Sequence, residues 1–151
     1  MNRVELQAMA EERIKDAKAL LDGGRWEFAY YVAGYAVECA LKACLLAQMI
    51  HTAWVFQEKW EAKVCLTHEF GKLIDLAGLR DELNNKLAAS AAAAPAVGGP
   101  PGGAFAVYWA AALLWKVESR YQPRTEADAR ELYEAITQDP HGVLLWIKNF
   151  W

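Results

Sequence analysis

The sequence has few of the residues that mark disulfide-rich or metal-binding proteins. Cysteine occurs only three times in 151 residues, at Cys39, Cys44 and Cys65, and this spacing matches no zinc or redox motif. We therefore expect reduced thiols that are buried as small apolar groups. No set of His, Cys, Asp and Glu has the spacing of metal ligands, so the sequence predicts no metal site and no cofactor.

We also expect neither a membrane-spanning segment nor a leader. The longest apolar run, Ala104 to Trp115, is shorter than the ~18 residues that cross a bilayer and predicts a core helix. The first residues, Asn2 to Glu5, are typical of a charged helix rather than of a signal peptide. We therefore expect a cytoplasmic protein that makes no membrane contact.

Basic charge and strand patterns are scarce as well. The net charge of -3 argues against broad, non-specific binding to nucleic acid, although a local basic cluster remains open. The sequence has no alternating apolar run and no Asn-Gly or Asp-Gly hairpin. Its glycine- and proline-rich stretch lacks the lysine and hydroxyl residue of a phosphate-binding P-loop.

Helical periodicity is what the sequence does have. Five apolar residues recur at spacings of three and four in the first segment: Leu6, Ala10, Ile14, Ala17 and Leu21. Gly23 and Gly24 end this helix, and a second helix from Trp26 to Met49 follows as its antiparallel partner. Gly34, among alanines, predicts that a neighbouring helix approaches this second helix closely. The pattern predicts an all-α, antiparallel up-and-down bundle of four to six helices, forming a single domain over residues 1–151.

The rest of the chain predicts shorter helices. Residues 51–66 have the pattern of a short amphipathic helix. Thr67 is predicted to cap a further helix, with Glu69 in its first turn and Gly78 at its end. The helical pattern continues over residues 80–94.

The last third begins with a loop. Residues 95–103 are rich in glycine and proline and predict an exposed loop inside the domain, with a substrate lid as the alternative. Residues 105–119 predict a helix that is apolar almost all round, and that lies centrally or packs on a second subunit. Thr125 is predicted to cap the next helix, and Asp139-Pro140 to start the last one.

Three segments of the chain carry motifs that occur together in one protein family. Residues 30–43, YYVAGYAVECALKA, resemble the second helix of HEPN domains (higher eukaryotes and prokaryotes nucleotide-binding), with its Ala-Glu-x-x-x-Lys pattern. Residues 67–73, THEFGKL, resemble the family's T-H-x-L-x-x-L segment, and residues 118–123, ESRYQP, its x-x-R-Y-x-P turn. The three segments follow one another in the family's order.

This resemblance implies a bundle of four or five main helices, a homodimer, and a prokaryotic role beside a minimal nucleotidyltransferase, often in a toxin–antitoxin pair. Many HEPN domains are ribonucleases, marked by Arg followed by His after four to six residues. Arg120, Arg124 and Arg130 have no such histidine. The chain therefore lacks the spaced pair in which the arginine supplies a cation and the histidine an imidazole that transfers a proton. We predict a binding or regulatory module rather than an enzyme, and we assign no catalytic residue.

The candidate ligand-binding residues are Tyr35, Glu38, Lys42, His68, Lys116, Arg120, Tyr121 and Arg124. Glu38 and Lys42, four residues apart, would form either a polar site or a structural ion pair. The basic residues from position 116 to 124 would bind a phosphate beside the Tyr121 ring, or simply end a solvated helix.

The favoured hypothesis is a homodimer that binds a nucleotide, RNA or a partner nucleotidyltransferase. One alternative is an atypical ribonuclease that uses Glu38, His68 and Arg120. The other is a purely structural dimer.

Overall fold

A computed structural model gives the fold, and it describes residues 1–52, 62–93 and 103–151. Every regular element in these ranges is a helix. The helices are α1 (Arg3–Asp22), α2 (Trp26–Thr52), α3 (Ala62–Cys65), α4 (Phe70–Leu76), α5 (Arg80–Ala92), α6 (Ala104–Leu113), a 3-10 helix (Val117–Tyr121), α7 (Glu126–Thr137) and α8 (Val143–Ile147). The predicted all-α bundle is confirmed.

The hairpin of α1 and α2 has the ends that the sequence predicts. Asn2 caps α1: its Oδ1 accepts a hydrogen bond from the backbone N–H of Glu5 at 2.9 Å, and the Glu5 carboxylate accepts one from the N–H of Asn2. Gly24 has a φ of 70°, a left-handed conformation that suits glycine, and it turns the chain back. The apolar stripe of α1 then packs along α2.

Helix α2 is the centre of the bundle. Helices α1, α4, α7 and α8 and the 3-10 helix all pack against it. A methyl group at Gly34 would overlap the indole ring of Trp115, whose Nε1–H donates to the carbonyl of Tyr31 at 3.2 Å. A tryptophan side chain from the turn after α6 therefore makes the close approach at Gly34, not the neighbouring helix that was predicted.

Length and composition alone would allow part of α2 to cross a membrane. The segment Trp26–His51 has a mean hydropathy of 1.3, and 61% of its most apolar window is buried inside the protein. Burial of this kind is typical of the central helix of a bundle. The absence of a membrane contact remains a prediction.

Helix α6 is shorter than predicted. It ends at Leu113, and Trp115 turns inward to pack on Gly34 before the 3-10 helix begins. Phe105 and Trp109 of α6 are buried, but Leu114 just beyond it is 70% exposed. Within one chain, therefore, only one face of this segment is covered. The prediction that the segment lies at the centre of the bundle is wrong, and the alternative, that it packs on a second subunit, is not tested by a single chain.

Two predicted helix starts are wrong and one is right. Glu69, not Thr67, is the N-cap of α4, and the Thr67 hydroxyl accepts a hydrogen bond from the Glu69 N–H at 3.2 Å. Asp139-Pro140 lies in a turn, and α8 begins only after Gly142. Thr125 does cap α7, because its Oγ1 accepts a hydrogen bond from the N–H of Asp128 at 3.1 Å.

Two predictions fall largely outside the described residues. The amphipathic helix over residues 51–66 is described only at its two ends, in α2 and α3. Of the loop 95–103, only Gly103 is described. Beside it, the Ser90 hydroxyl of α5 accepts a hydrogen bond from the Ala106 N–H of α6 at 3.2 Å, which ties the two helices together.

Candidate functional site

A buried carboxylate lies at the middle of α2. The Glu38 side chain is 2% exposed, and its Oε1 accepts hydrogen bonds from Lys42 Nζ at 2.7 Å and from His68 Nδ1 at 2.9 Å. The predicted pair of Glu38 and Lys42 is therefore an ion pair. Glu38 Oε2 is buried and has no hydrogen-bond partner among the described residues. A buried carboxylate of this kind fixes the groups that donate to it.

His68 connects this carboxylate to the surface. It lies in the segment before α4, and its side chain is 48% exposed. A carboxylate only accepts hydrogen bonds, so the ring nitrogen that faces Glu38 carries the proton. In the neutral imidazole the other nitrogen, Nε2, is then a hydrogen-bond acceptor.

A cleft of about 670 Å³ opens beside His68. Its lining residues come from the segment before α4 and from the 3-10 helix with its flanks: Thr67, His68, Glu69, Trp115, Lys116, Val117, Glu118 and Gln122. Its volume lies in the range of small-molecule sites. Its charges are mixed, because Lys116, Glu69 and Glu118 all line it, and Glu69 also pairs with Lys72 at 2.5 Å.

Tyr35 belongs to a row of rings on α2. Its ring stacks on that of Tyr31, with centroids 6.2 Å apart and planes at 4°. The ring of Phe28 follows at 6.0 Å from Tyr31. Burial raises the pKa of Tyr35 to about 12, so it stays a neutral donor, and its hydroxyl contacts Met9 Sδ at 3.7 Å.

Arg120 and Tyr121 end the 3-10 helix at the surface. Tyr121 is 78% exposed, and the guanidinium carbon of Arg120 lies 4.9 Å from its ring centroid, a cation–π contact. The neighbouring Tyr121 and then the Tyr31 side chain raise the pKa of Arg120. Arg120 is therefore an exposed positive charge that lies against the Tyr121 ring.

Arg124 is held differently. Its guanidinium carbon lies 4.2 Å from the Tyr30 ring centroid, and one nitrogen donates to Gln122 Oε1 at 3.0 Å. It lines a pocket of about 60 Å³, whereas Lys116 lines the large cleft and Arg120 lines neither. The three predicted cations thus make separate contacts instead of one shared cluster.

Residues 4–57 match the HEPN domain. No curated protein and no solved structure matches the chain. The match confirms the resemblance for the α1–α2 hairpin and includes Tyr35, Glu38 and Lys42. The other two HEPN-like segments, around His68 and around Arg120, lie beyond it and remain predictions.

The structure also adds residues that the sequence analysis did not select. Tyr31 contacts Arg120, and Gln122 lines the cleft beside Lys116. The spacing of Phe28, Tyr31 and Tyr35 places three aromatic rings on one face of a helix, so this row could have been found from periodicity. Gln122 gives no such signal, because its position depends on where the 3-10 helix ends.

Proposed function

We propose that this chain is a HEPN-type binding module for a nucleotide or RNA, and that Arg120 and Tyr121 form its main contact. The supporting observation is an exposed guanidinium next to an exposed aromatic ring. Guanidinium groups bind phosphate oxygens with paired, charge-assisted hydrogen bonds. Bases stack on aromatic side chains, and each stacked base contributes roughly 1–3 kcal/mol.

The row of rings on α2 extends this surface. Tyr31 contacts Arg120, and Tyr35 and Phe28 lie at about one ring spacing on either side of Tyr31. Phe28 is 55% exposed. Successive rings beside a cation suit the successive bases of a single strand. The overall charge of -3 means that such binding would depend on these local contacts rather than on the field of the whole protein.

Thermal unfolding with ATP, and separately with a short oligoadenylate, tests this function. A ligand at about 100 times its Kd adds roughly 2.7 kcal/mol of stability, which raises the Tm measurably. Arg120→Ala should abolish the shift. Arg25→Ala, which removes an exposed arginine of the α1–α2 turn, is the matched control and should keep it. No shift of the wild type with either ligand would contradict the proposal and leave a structural dimer.

The proposed module is a homodimer that uses the outer face of the α6 segment. Val107, Leu113 and Leu114 are 38%, 46% and 70% exposed, and they form an apolar surface next to the buried face of the same segment. Light scattering should give twice the chain mass of 16.9 kDa. Leu114→Glu should yield monomers, whereas Leu66→Glu, at an equally exposed leucine, should not. A wild-type monomer at micromolar concentration would contradict this assembly.

The proposed protein partner is a minimal nucleotidyltransferase, in a prokaryotic toxin–antitoxin pair. The match of α1 and α2 to HEPN domains supports this proposal. If such an enzyme is encoded beside this chain, the two proteins should co-purify when they are expressed together. Separate elution from size-exclusion chromatography would count against the pair.

One contact favours a second candidate, the atypical ribonuclease. Glu38 orients the His68 ring at 2.9 Å, as a carboxylate does for a general base. Arg120, the third residue of that hypothesis, contacts Tyr121 and Tyr31 instead. Labelled RNA incubated with the purified protein in EDTA separates the candidates. The binding module leaves the RNA intact, whereas cleavage that both His68→Ala and Arg120→Ala abolish would establish the nuclease.

A further inference from the structure

We propose that the cleft beside His68 binds the sugar of the nucleotide, and that His68 Nε2 accepts a hydrogen bond from the ribose 2′-hydroxyl. The site would therefore select a ribonucleotide over a deoxyribonucleotide. This inference rests on the proposed function and adds to it the class of sugar and the residue that recognises it.

The orientation of His68 supports an acceptor at this position. The ring donates from Nδ1 to the buried Glu38, so the neutral ring presents an unprotonated Nε2. His68 lines the cleft and is nearly half exposed, so a ligand can reach it. An unprotonated nitrogen accepts a hydrogen bond from a hydroxyl group, whereas a phosphate oxygen has no proton to donate.

Glu38 does more than a structural ion pair requires. Lys42 alone would give Glu38 the partner expected four residues further along a helix. The same oxygen nevertheless takes a second bond from His68, which lies 30 residues away, while Oε2 stays buried without a partner among the described residues. Burying a carboxylate oxygen without a partner costs free energy. Here the Glu38 carboxylate holds the His68 ring in one orientation by accepting the hydrogen bond from Nδ1.

The other charges of the cleft favour a sugar over a polyphosphate. Glu69 and Glu118 line it, and their carboxylates would repel several phosphates but can accept hydrogen bonds from hydroxyl groups. Lys116 also lines the cleft and supplies a positive charge. The 3-10 helix rises ~2 Å per residue, so Lys116 and Arg120 lie on the order of 8 Å apart along it. In the proposed complex these two cations, one in the cleft and one outside it, would bind the phosphates of a nucleotide whose sugar lies beside His68.

The test compares ATP with 2′-deoxyATP in calorimetric titrations of the full chain. One hydrogen bond to an uncharged group corresponds to a preference of roughly five- to tenfold, so the wild type should bind ATP that much more tightly. His68→Leu should bind the two nucleotides equally. His141→Leu, which removes an exposed histidine in the turn before α8, should keep the preference.

A second variant tests the positioning role of Glu38. Glu38→Met keeps the length of the side chain but removes the oxygen that accepts from Nδ1, so the ring proton is no longer held at Nδ1 and can move to Nε2. This change should weaken the ribose preference while the unfolding transition stays cooperative. Equal binding of ATP and 2′-deoxyATP by the wild type would overturn the inference and leave the proposed function standing. Binding of neither nucleotide would also overturn the inference, and the titration with a short oligoadenylate would then decide whether the proposed function stands.

Discussion

The two polar regions of this protein are built in opposite ways. Around Glu38, a carboxylate that is 2% exposed holds Lys42 and His68 at 2.7 and 2.9 Å, and the surrounding helices fix all three. At the end of the 3-10 helix, Arg120 and Tyr121 are exposed and lie against each other at the surface. The first region depends on the fold, whereas the second is free to meet a ligand.

This difference predicts which measurements respond to changes in each region. A change near Glu38 should alter the free energy of unfolding, because it disturbs a desolvated charge. A change at Arg120 or Tyr121 should alter ligand affinity and leave the fold intact. His68 links the first region to the cleft, since one ring nitrogen faces Glu38 and the ring also lines the cleft.

The largest expected effect is that of Lys42→Met. This change leaves the buried carboxylate of Glu38 without its ammonium partner, and it should lower the free energy of unfolding by about 3–5 kcal/mol. Lys18→Met is the control, because Lys18 and Asp22 form a pair four residues apart that is more than half exposed. Its loss should cost less than about 1 kcal/mol. Similar losses for both variants in urea unfolding would show that Glu38 is not effectively buried.

Gly34→Ala should have the next largest effect. The added methyl group would overlap the Trp115 ring, and overpacking of this kind costs about 1–3 kcal/mol. Gly71→Ala is the control, because its new methyl group would meet only an Arg80 nitrogen at 4.0 Å. It should instead stabilise the protein by about 0.4–1 kcal/mol. Urea unfolding of the two variants should thus shift in opposite directions, and a shift in the same direction would contradict the packing of Trp115.

Local signals predicted much of the fold but not its tertiary adjustments. The glycines after α1 and the capping residue Thr125 act within a few residues, so the sequence shows them directly. The end of α6 is different. The apolar periodicity continues through Trp115, but this ring turns into the gap at Gly34, more than 80 residues earlier, and the helix stops. The periodicity of apolar residues alone does not predict a contact between residues so far apart in the sequence.

The candidate site divides in the same way. The spacing of Glu38 and Lys42 predicted either a polar site or an ion pair, and the structure shows the ion pair. Neither spacing nor propensity shows that His68 bonds to the same oxygen, because that depends on how the segment before α4 packs on α2. Likewise, the sequence places Lys116, Arg120 and Arg124 close together, but their separate contacts depend on the turn that follows α6.

Thr125→Ala should have a smaller effect on stability and none on the basic turn. Losing this N-cap costs about 1 kcal/mol, and Thr125→Ser should restore it. Hydrogen bonds from the backbone and side chain of Thr125 lower the pKa of Asp128. The contribution of these hydrogen bonds to the free energy of unfolding is therefore complete at neutral pH, and it is lost as the pH falls through the lowered pKa of Asp128. If Thr125→Ala lowered the affinity for ATP as much as Arg120→Ala does, the N-cap of α7 and the ligand contact would not be independent, and this part of the account would be contradicted.

The smallest effect concerns the three cysteine thiols. The rate at which each thiol is alkylated measures how deeply it is buried, and no residue has to be substituted. Burial raises the pKa of Cys39 to about 11 and that of Cys44 to about 12, and both side chains are buried. Cys65 is only partly buried. Alkylation with iodoacetamide near pH 8, followed by mass spectrometry, should therefore modify Cys65 first. Earlier modification of Cys44 would mean that the C-terminal helix does not cover α2 as described.

Calorimetric titration of the wild type, Arg120→Ala and Tyr121→Ala with a short oligoadenylate tests the central claim most directly. We expect saturable binding by the wild type and its loss in both variants, with all three unfolding at nearly the same urea concentration. Binding that is unchanged in both variants, or absent from the wild type, would contradict the assignment of this surface to a nucleotide or RNA.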